Sequence, residues 1–181
     1  MIEKWKTENK RLVNSFPIFD VSMVERIHPV TDVRREFVVI DSPEWVNIIP
    51  LTSDNRVVMI KQYRHGVDDV TLEIPGGLVE VGEEACDAGM RECLEETGFG
   101  AMERAELLGL TDPNPAYQYN KQYSFVWKDC SLQSAQNLDT NELIEVELIA
   151  LAEIPELIRN GTIKHTLVLS AFLHYWLRYS F

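Results

Sequence analysis

The chain has 181 residues, of which 45% are apolar and 25% charged, a size and composition that suit one catalytic domain with a full core. Its 29 acidic and 17 basic residues leave a formal charge of −12, which argues against a broad binding surface for duplex nucleic acid. The three cysteines form no C-x-x-C pair, so neither a disulfide framework nor a structural zinc site is indicated.

Two further features concern location. The first residues, MIEKWKTENKRL, lack the apolar core of a signal peptide, and the apolar run from Leu167 to Trp176 is too short to span a bilayer. We therefore expect a cytoplasmic protein with no membrane partner.

The first half of the chain is rich in Val, Ile and aromatic residues, with Pro, Asp, Ser and Asn between the apolar runs, which predicts strands. We expect strands at residues 21–28, 36–40, 45–52, 56–63 and 71–74, and a hairpin turn at 53–55. The cluster Pro75-Gly76-Gly77 predicts a loop that leads into a helix over residues 83–97. Gly98 is suited to the left-handed position that follows such a helix.

Strands return at residues 105–110, 122–128 and 143–151, the last with Ile144, Val146 and Leu148 alternating with Glu145 and Glu147. Pro155 opens a short helix that ends near Gly161, and residues 165–179 have the apolar spacing of a final amphipathic helix. The order of strands, helix, strands and helices predicts an α+β layered domain, since regular alternation of strand and helix is missing.

The predicted helix 83–97 carries the most informative side chains. Glu92, Glu95 and Glu96 lie at positions i, i+3 and i+4, so a helix places their carboxylates on one face, where they repel one another unless a cation lies against them. Hard oxygen ligands of this kind favour Mg²⁺ or Mn²⁺. The alternative is an ordinary solvated face of a surface helix.

Residues around this acidic face fit a metal site. Arg91 adjoins the carboxylates and could fix their orientation by bidentate hydrogen bonds, a structural role. Gly76 and Gly77 allow the backbone to approach, so a backbone carbonyl could complete the metal shell. Small and apolar residues elsewhere on the helix would pack on a sheet: Ala85, Ala88, Gly89, Met90 and Leu94.

The segment Gly77–Phe99 resembles the Nudix box: a glycine, five residues, a glutamate, seven residues, then Arg-Glu-apolar-x-Glu-Glu-x-Gly-apolar. Every fixed position is filled. Cys93 stands where an aliphatic residue is usual, and cysteine packs as a small hydrophobe.

The resemblance implies a Nudix fold, an α/β/α sandwich around a mixed sheet, here with an N-terminal β-strand extension. It also implies that Glu92, Glu95 and Glu96 bind the metal beside the carbonyl of Gly76.

Outside the box, the chain is similar to the branch of ADP-ribose pyrophosphatases and nucleoside diphosphate sugar hydrolases. Lys61-Gln62-Tyr63-Arg64 resembles the strand end from which that branch extends an arginine to the substrate phosphates, and Leu72–Gly77 is similar to its lead-in to the box. Arg64 is thus the candidate phosphate-binding residue; the alternative is an exposed surface arginine. Pro115 matches a proline of that branch, although alanine follows it here where glycine is common.

Asn141-Glu142-Leu143 is similar to the loop that supplies a catalytic glutamate before a strand. Glu142 is therefore the candidate general base, with Glu145 as the alternative. The resemblance implies hydrolysis of a nucleoside diphosphate sugar, ADP-ribose above all, to AMP and ribose 5-phosphate, with Mg²⁺ as cofactor and Mn²⁺ as an alternative.

Other functions remain open. They are hydrolysis of dinucleoside polyphosphates or capped RNA, a catalytically silent nucleotide sensor, and an acidic scaffold in which the box is accidental. The intact Glu92, Glu95 and Glu96 set argues against the sensor, and the negative charge argues against long RNA.

Enzymes of the resembled branch are typically homodimers whose N-terminal strands cross to the partner. By this resemblance we expect residues 1–39 to form a dimerisation segment and residues 40–181 the catalytic domain; the alternative for the N-terminal strands is a simple edge hairpin. Four aromatic residues are candidates either for stacking on the nucleotide base or for the core: Phe37, Trp45, Tyr117 and Tyr119.

Overall fold

The computed structural model describes residues 1–179, so residues 180 and 181, at the end of the predicted catalytic domain, lie outside the described part. The chain forms two compact units. The first comprises Met1–Pro43 and Asp112–Lys121, and the second comprises Glu44–Thr111 and the chain from Gln122 onward.

The first unit is a three-stranded antiparallel sheet in the order β1-β2-β3, formed by β1 (Lys6–Phe16), β2 (Phe19–Ile27) and β3 (Arg34–Asp41). The segment 112–121 lies beside β3, since Ile40 N donates to Tyr117 O at 2.7 Å and Tyr119 N donates to Ile40 O at 3.2 Å. The sequence predicted strands at the positions of β2 and β3 but named none over β1, which is exposed along its whole length and lacks an alternating pattern.

The second unit holds the remaining elements. In chain order they are β4 (Trp45–Pro50), β5 (Arg56–Arg64), β6 (Asp69–Glu73), β7 (Gly76–Leu78), α1 (Ala85–Thr97), β8 (Phe99–Gly100), β9 (Glu106–Thr111), β10 (Gln122–Trp127), β11 (Ser131–Leu132), β12 (Ile144–Ala150), a 3-10 turn (Leu151–Glu153), α2 (Ile154–Arg159) and α3 (Thr166–Tyr179).

These strands form a mixed arrangement. One sheet has the order β7-β4-β10-β9, in which β10 runs parallel to β4 and the other neighbours are antiparallel. A second sheet, β12-β5-β6, is antiparallel throughout, and β11 pairs with β8.

Helices cover the two faces of the β7-β4-β10-β9 sheet. Successive strand residues point to opposite faces, so β4 and β10 each supply side chains to two cores. One core faces α1 and includes Val46, Ile48, Phe125, Trp127, Ala88 and Cys93. The other faces α3 and includes Ile49, Val126, Val168, Ala171 and Phe172. The predicted α+β class and α/β/α layering are confirmed.

Most local predictions agree with the structure. Helix α1 ends at Gly98, whose φ of 74° is left-handed, and the turn before β5 contains Asn55 at φ 58°. The predicted loop at residues 75–77 was wrong in part, because Gly76–Leu78 pairs with β4 as β7. A Cβ at Gly76 would lie 2.2 Å from Val46 O, so this pairing depends on glycine and on a distant strand.

No helix within residues 1–179 is both long and apolar enough to cross a membrane.

Candidate active site

Glu92, Glu95 and Glu96 form the acidic face of α1. Ala88, Gly89 and Cys93 are buried on the inner side, and a Cβ at Gly89 would lie 2.9 Å from Val46 Cγ2, so the helix sits close to β4. Of the three glutamates, Glu96 is 3% exposed, whereas the side chains of Glu92 and Glu95 are 17% and 40% exposed. These three glutamates, called the acidic ridge below, thus run from solvent into the protein.

Two backbone segments approach this ridge. Gly76 N donates a hydrogen bond to Glu96 Oε2 at 3.0 Å. A Cβ at Gly77 would lie 2.4 Å from the carboxyl carbon of Glu92, so only glycine permits the contact. The predicted close approach of the Gly76-Gly77 backbone to the acidic face is confirmed.

Arg91 connects the ridge to the turn before the helix. Its Nε and Nη2 donate to the two oxygens of Glu83 at 2.9 and 3.1 Å, and Nη2 also donates to Leu78 O at 3.3 Å. Its Nη1 bridges Glu92 Oε1 at 2.9 Å and Glu95 Oε2 at 3.0 Å. The bidentate pair thus forms with Glu83, whereas Glu92 and Glu95 each accept one hydrogen bond, so Arg91 connects these carboxylates to the turn before the helix.

Burial and neighbouring charges raise the pKa values of two carboxylates on this face. Burial raises the pKa of Glu96 to about 8; the hydrogen bond from Gly76 opposes the rise, and the charges of Glu92 and Glu142 add to it. Burial likewise raises the pKa of Glu92, against Arg91 and with the help of Glu95 and Glu142. Burial, and the charges of neighbouring carboxylates after it, therefore disfavour ionisation of Glu92 and Glu96 when no cation is bound.

A divalent cation held by these oxygen atoms would offset the cost of ionising carboxylates that are buried and close together. Within residues 1–179 no three carboxylate, imidazole or thiol groups are already gathered around one point as a metal cage. Arg91 Nη1 instead lies between Glu92 and Glu95. The oxygen donors fit a hard divalent cation.

Arg64, the candidate phosphate-binding residue, is the last residue of β5. Its Nε and Nη2 donate to Glu73 Oε1 and Oε2 at 2.8 and 2.7 Å, which leaves Nη1 without a partner among the described residues. The hydrogen bonds to Glu73 raise the pKa of Arg64 most, and the charges of Glu96 and Glu142 raise it further. The structure therefore places Arg64 within electrostatic reach of the acidic ridge.

Glu73 contacts both Arg64 and His165 in this region, and neither Glu73 nor His165 was among the predicted site residues. Burial acts to raise the pKa of Glu73, but hydrogen bonds from Arg64, His165 and Thr71 hold it well below its usual range. A signal did exist: Glu73 lies between Leu72 and Ile74 in an apolar strand, and a carboxylate at a buried position needs donors.

The loop between β11 and β12 carries Glu142. Its first half is fastened to α1 and β12: Asn137 N donates to Glu95 O at 2.8 Å, and Gln136 Nε2 donates to Glu96 O at 2.6 Å and Ile144 O at 3.2 Å. Its second half closes on itself, since Asp139 N donates to Glu142 Oε2 at 3.1 Å. Gln136 was not singled out in the sequence, since nothing local marks its long-range partners.

The two candidate bases differ in their surroundings. Glu142 is exposed, and its charge acts on Glu92, Glu96 and Arg64. Glu145 is 74% exposed in its side chain and lies 3.7 Å from Lys61 Nζ. Of the two candidates, Glu142 is the one whose charge is among the main influences on Glu92 and Glu96.

The four candidate aromatic residues fall into two groups. Trp45 is half-buried in the second unit, whereas Phe37, Tyr117 and Tyr119 are exposed in the first unit by 41%, 44% and 48%. None of these three is a core residue, and Phe37 contacts Trp5 edge to face at 5.5 Å between ring centroids.

An acidic helix face behind a glycine pair, carried by an α/β/α sandwich, defines a class of metal-dependent hydrolases that act on phosphate anhydrides. Comparison with known proteins assigns the family. The NUDIX domain model matches residues 42–170, and the chain belongs to this family. It is a Nudix hydrolase, an enzyme.

Three similar proteins place it further. The chain is 27% identical over 128 residues to an ADP-ribose pyrophosphatase of Bacillus subtilis, covering 70% of this chain and 68% of that protein. It is 30% identical over 131 residues to a methanol dehydrogenase activator of Bacillus methanolicus, covering 72% and 69%. A crystal structure of an ADP compounds hydrolase superposes with a TM-score of 0.85 at 26% identity, covering 98% of this chain and 96% of the other. The predicted branch is confirmed.

Proposed function

We propose that the protein is a Mg²⁺-dependent pyrophosphohydrolase that converts ADP-ribose to AMP and ribose 5-phosphate. One observation carries the proposal: Glu92, Glu95 and Glu96 lie on one face of α1, with Glu96 buried at 3% exposure and its carboxylate accepting a hydrogen bond from Gly76 N. The name of the Bacillus subtilis relative supports the substrate.

In this proposal Glu92, Glu95, Glu96 and the carbonyl of Gly76 hold the metal, with Mn²⁺ as a substitute. A bound ion would supply positive charge against the pyrophosphate and would favour deprotonation of the attacking water. Arg91 orients Glu92 and Glu95 through the 2.9 and 3.0 Å hydrogen bonds from its Nη1.

Arg64 and Glu142 act on the reactants. Arg64 Nη1 binds a phosphate oxygen and holds the pyrophosphate against the ridge. Glu142 accepts the proton of the attacking water, which then forms a new bond to one phosphorus as the bridging oxygen leaves with the other product. The electrostatic link of Glu142 to Glu92 and Glu96 supports this role.

The substrate range is broader than ADP-ribose in this proposal. Pro115 is followed by Ala116 where the common form in this branch has glycine. We therefore expect other nucleoside diphosphate sugars to be cleaved as well, more slowly than ADP-ribose. Cleavage rates measured with ADP-ribose, ADP-glucose, GDP-mannose and diadenosine polyphosphates give the order of preference.

The first test is to incubate the protein with Mg²⁺ and ADP-ribose and to quantify AMP and ribose 5-phosphate by ion-exchange chromatography. Glu142→Gln should lower kcat by about 10²–10⁴-fold, the usual contribution of a general base. Glu145→Gln is the matched control because Glu145 pairs with Lys61 outside the ridge. Equal losses in both variants would remove Glu142 as the base, and no cleavage of any substrate would favour a nucleotide sensor.

We further propose that the protein is a cytoplasmic homodimer that residues 1–39 help to form, with residues 40–181 as the catalytic domain. The first unit carries eight acidic and eight basic residues, so the whole charge of −12 lies in the second unit. The first unit also exposes apolar side chains: Leu12, Val13, Phe16, Ile18, Phe37 and Val38. A neutral, partly apolar surface suits association of two copies. The three free cysteines are in keeping with a reducing compartment.

Light scattering after size exclusion measures the oligomeric state. A monomer at micromolar concentration would overturn the dimer.

A further inference from the structure

Glu73 is a buried carboxylate with a full set of donors. Its Oε1 accepts hydrogen bonds from Arg64 Nε at 2.8 Å and Thr71 Oγ1 at 2.5 Å. Its Oε2 accepts from Arg64 Nη2 at 2.7 Å and is 2.8 Å from His165 Nδ1. The residue has 0% exposure, so no water replaces a donor that is lost.

The donors come from three parts of the second unit. Arg64 ends β5, and Thr71 and Glu73 belong to the adjacent β6. His165 instead lies next to the start of α3, where its carbonyl accepts from Leu169 N at 3.0 Å. A bidentate pair fixes two groups relative to each other but leaves the pair free to pivot about the glutamate side chain. A third donor from another element removes that freedom.

His165 acts here as a donor through a defined nitrogen. An ionised carboxylate can only accept hydrogen bonds, so Nδ1 carries the proton in the contact with Glu73. The side chain of His165 is 34% exposed, and its Nε2 has no partner among the described residues. The ring is accessible to substitution without opening a buried cavity.

We propose that Glu73 and His165 are positioning residues that hold the Arg64 guanidinium with its free Nη1 edge toward a phosphate of the substrate. This inference rests on the proposed function, because it gives a purpose to the orientation of Arg64. His165 touches no substrate in this arrangement and acts through Glu73.

The test compares His165→Ala, His165→Asn, Arg64→Ala and the double variant Arg64→Ala/His165→Ala. Kinetics with ADP-ribose and Mg²⁺ give kcat and KM, and calorimetry with the non-hydrolysable α,β-methylene analogue gives Kd. Asparagine is the matched variant because its Nδ2 can replace the donor of His165 Nδ1 while the distal nitrogen is removed. NMR of the Arg64 Nε–H group reports its exchange with solvent and needs no substrate.

We expect His165→Ala to lower kcat/KM by about tenfold, mainly through KM, and to speed exchange of the Arg64 Nε proton. His165→Asn should recover most of that loss. In the Arg64→Ala background, His165→Ala should have no further effect on kcat/KM, because the arginine that it orients is gone.

Two results would overturn the inference while leaving the proposed function intact. One is an equal loss from His165→Ala with and without Arg64, which indicates an independent contribution. The other is His165→Asn being as defective as His165→Ala, which indicates direct contact through Nε2. If the wild type neither cleaves ADP-ribose nor binds the analogue, the proposed function fails and the orienting purpose fails with it, whatever the NMR result.

Discussion

Replacing Glu96 with glutamine should stabilise the metal-free protein at alkaline pH, although it removes a proposed metal ligand. Glu96 is 3% exposed, and burial raises its pKa from 4.5 to about 8. A carboxyl group with a raised pKa binds its proton more tightly in the folded state than in the unfolded state. Its stabilising effect is therefore complete below about pH 4.5 and is lost as the pH rises through about 8.

The size of the effect follows from the shift. Each pKa unit corresponds to about 1.4 kcal/mol, so a rise from 4.5 to about 8 amounts to at most about 5 kcal/mol between acid and alkaline pH. Glutamine has no charge to bury and can still accept the hydrogen bond from Gly76 N. Its amide protons need partners, which reduces the gain, so we expect Glu96→Gln to be about 2–3 kcal/mol more stable than the wild type at pH 9.

The assay is urea unfolding of both proteins in EDTA from pH 5 to 9. At pH 5 the two curves should nearly coincide, and the wild type should then fall progressively below the variant. Adding Mg²⁺ at pH 8 should stabilise the wild type and leave Glu96→Gln nearly unchanged. Parallel stability profiles across the pH range would refute the argument, because they would mean that burial does not raise the pKa of Glu96.

Three further predictions concern the supports of the site. Arg91→Ala should reduce stability at pH 8 by about 2 kcal/mol in urea, since Glu92 and Glu95 lose their shared donor; an unchanged midpoint would contradict this. Gln136→Ala should lower kcat by about tenfold, because it removes the side-chain hydrogen bonds that hold the loop of the proposed base against α1 and β12. The control is Gln133→Ala, whose contact with Gly98 O is made by the backbone, and equal kcat values would argue against the tether. Gly98→Ala should cost at least about 2 kcal/mol and lower Tm, since the residue has φ 74° and a Cβ would lie 2.1 Å from Ser134 O; a full-length helix with unchanged Tm would contradict it.

The interior of α1 was predictable because its signals are local. The 3.6-residue period places Glu92, Glu95 and Glu96 on one face whatever surrounds the helix, and the following glycine marks its end. Arg91 reaches Glu95 across one helical turn, so their hydrogen bond also follows from spacing. The same locality explains why the alternating strand β12 was found.

The sequence by itself therefore determined the family, the acidic helix face and most strands. Only the tertiary structure decided which distant groups meet: His165 reaches Glu73 across 92 positions, and Gln136 reaches Glu96 across 40. It also decided that Gly76–Leu78 pairs with β4 and that the polar segment Lys6–Phe16 is a strand. The physical reason is that helix periodicity acts within a few residues, whereas strand pairing and buried hydrogen bonds are selected by partners that no short window of sequence contains.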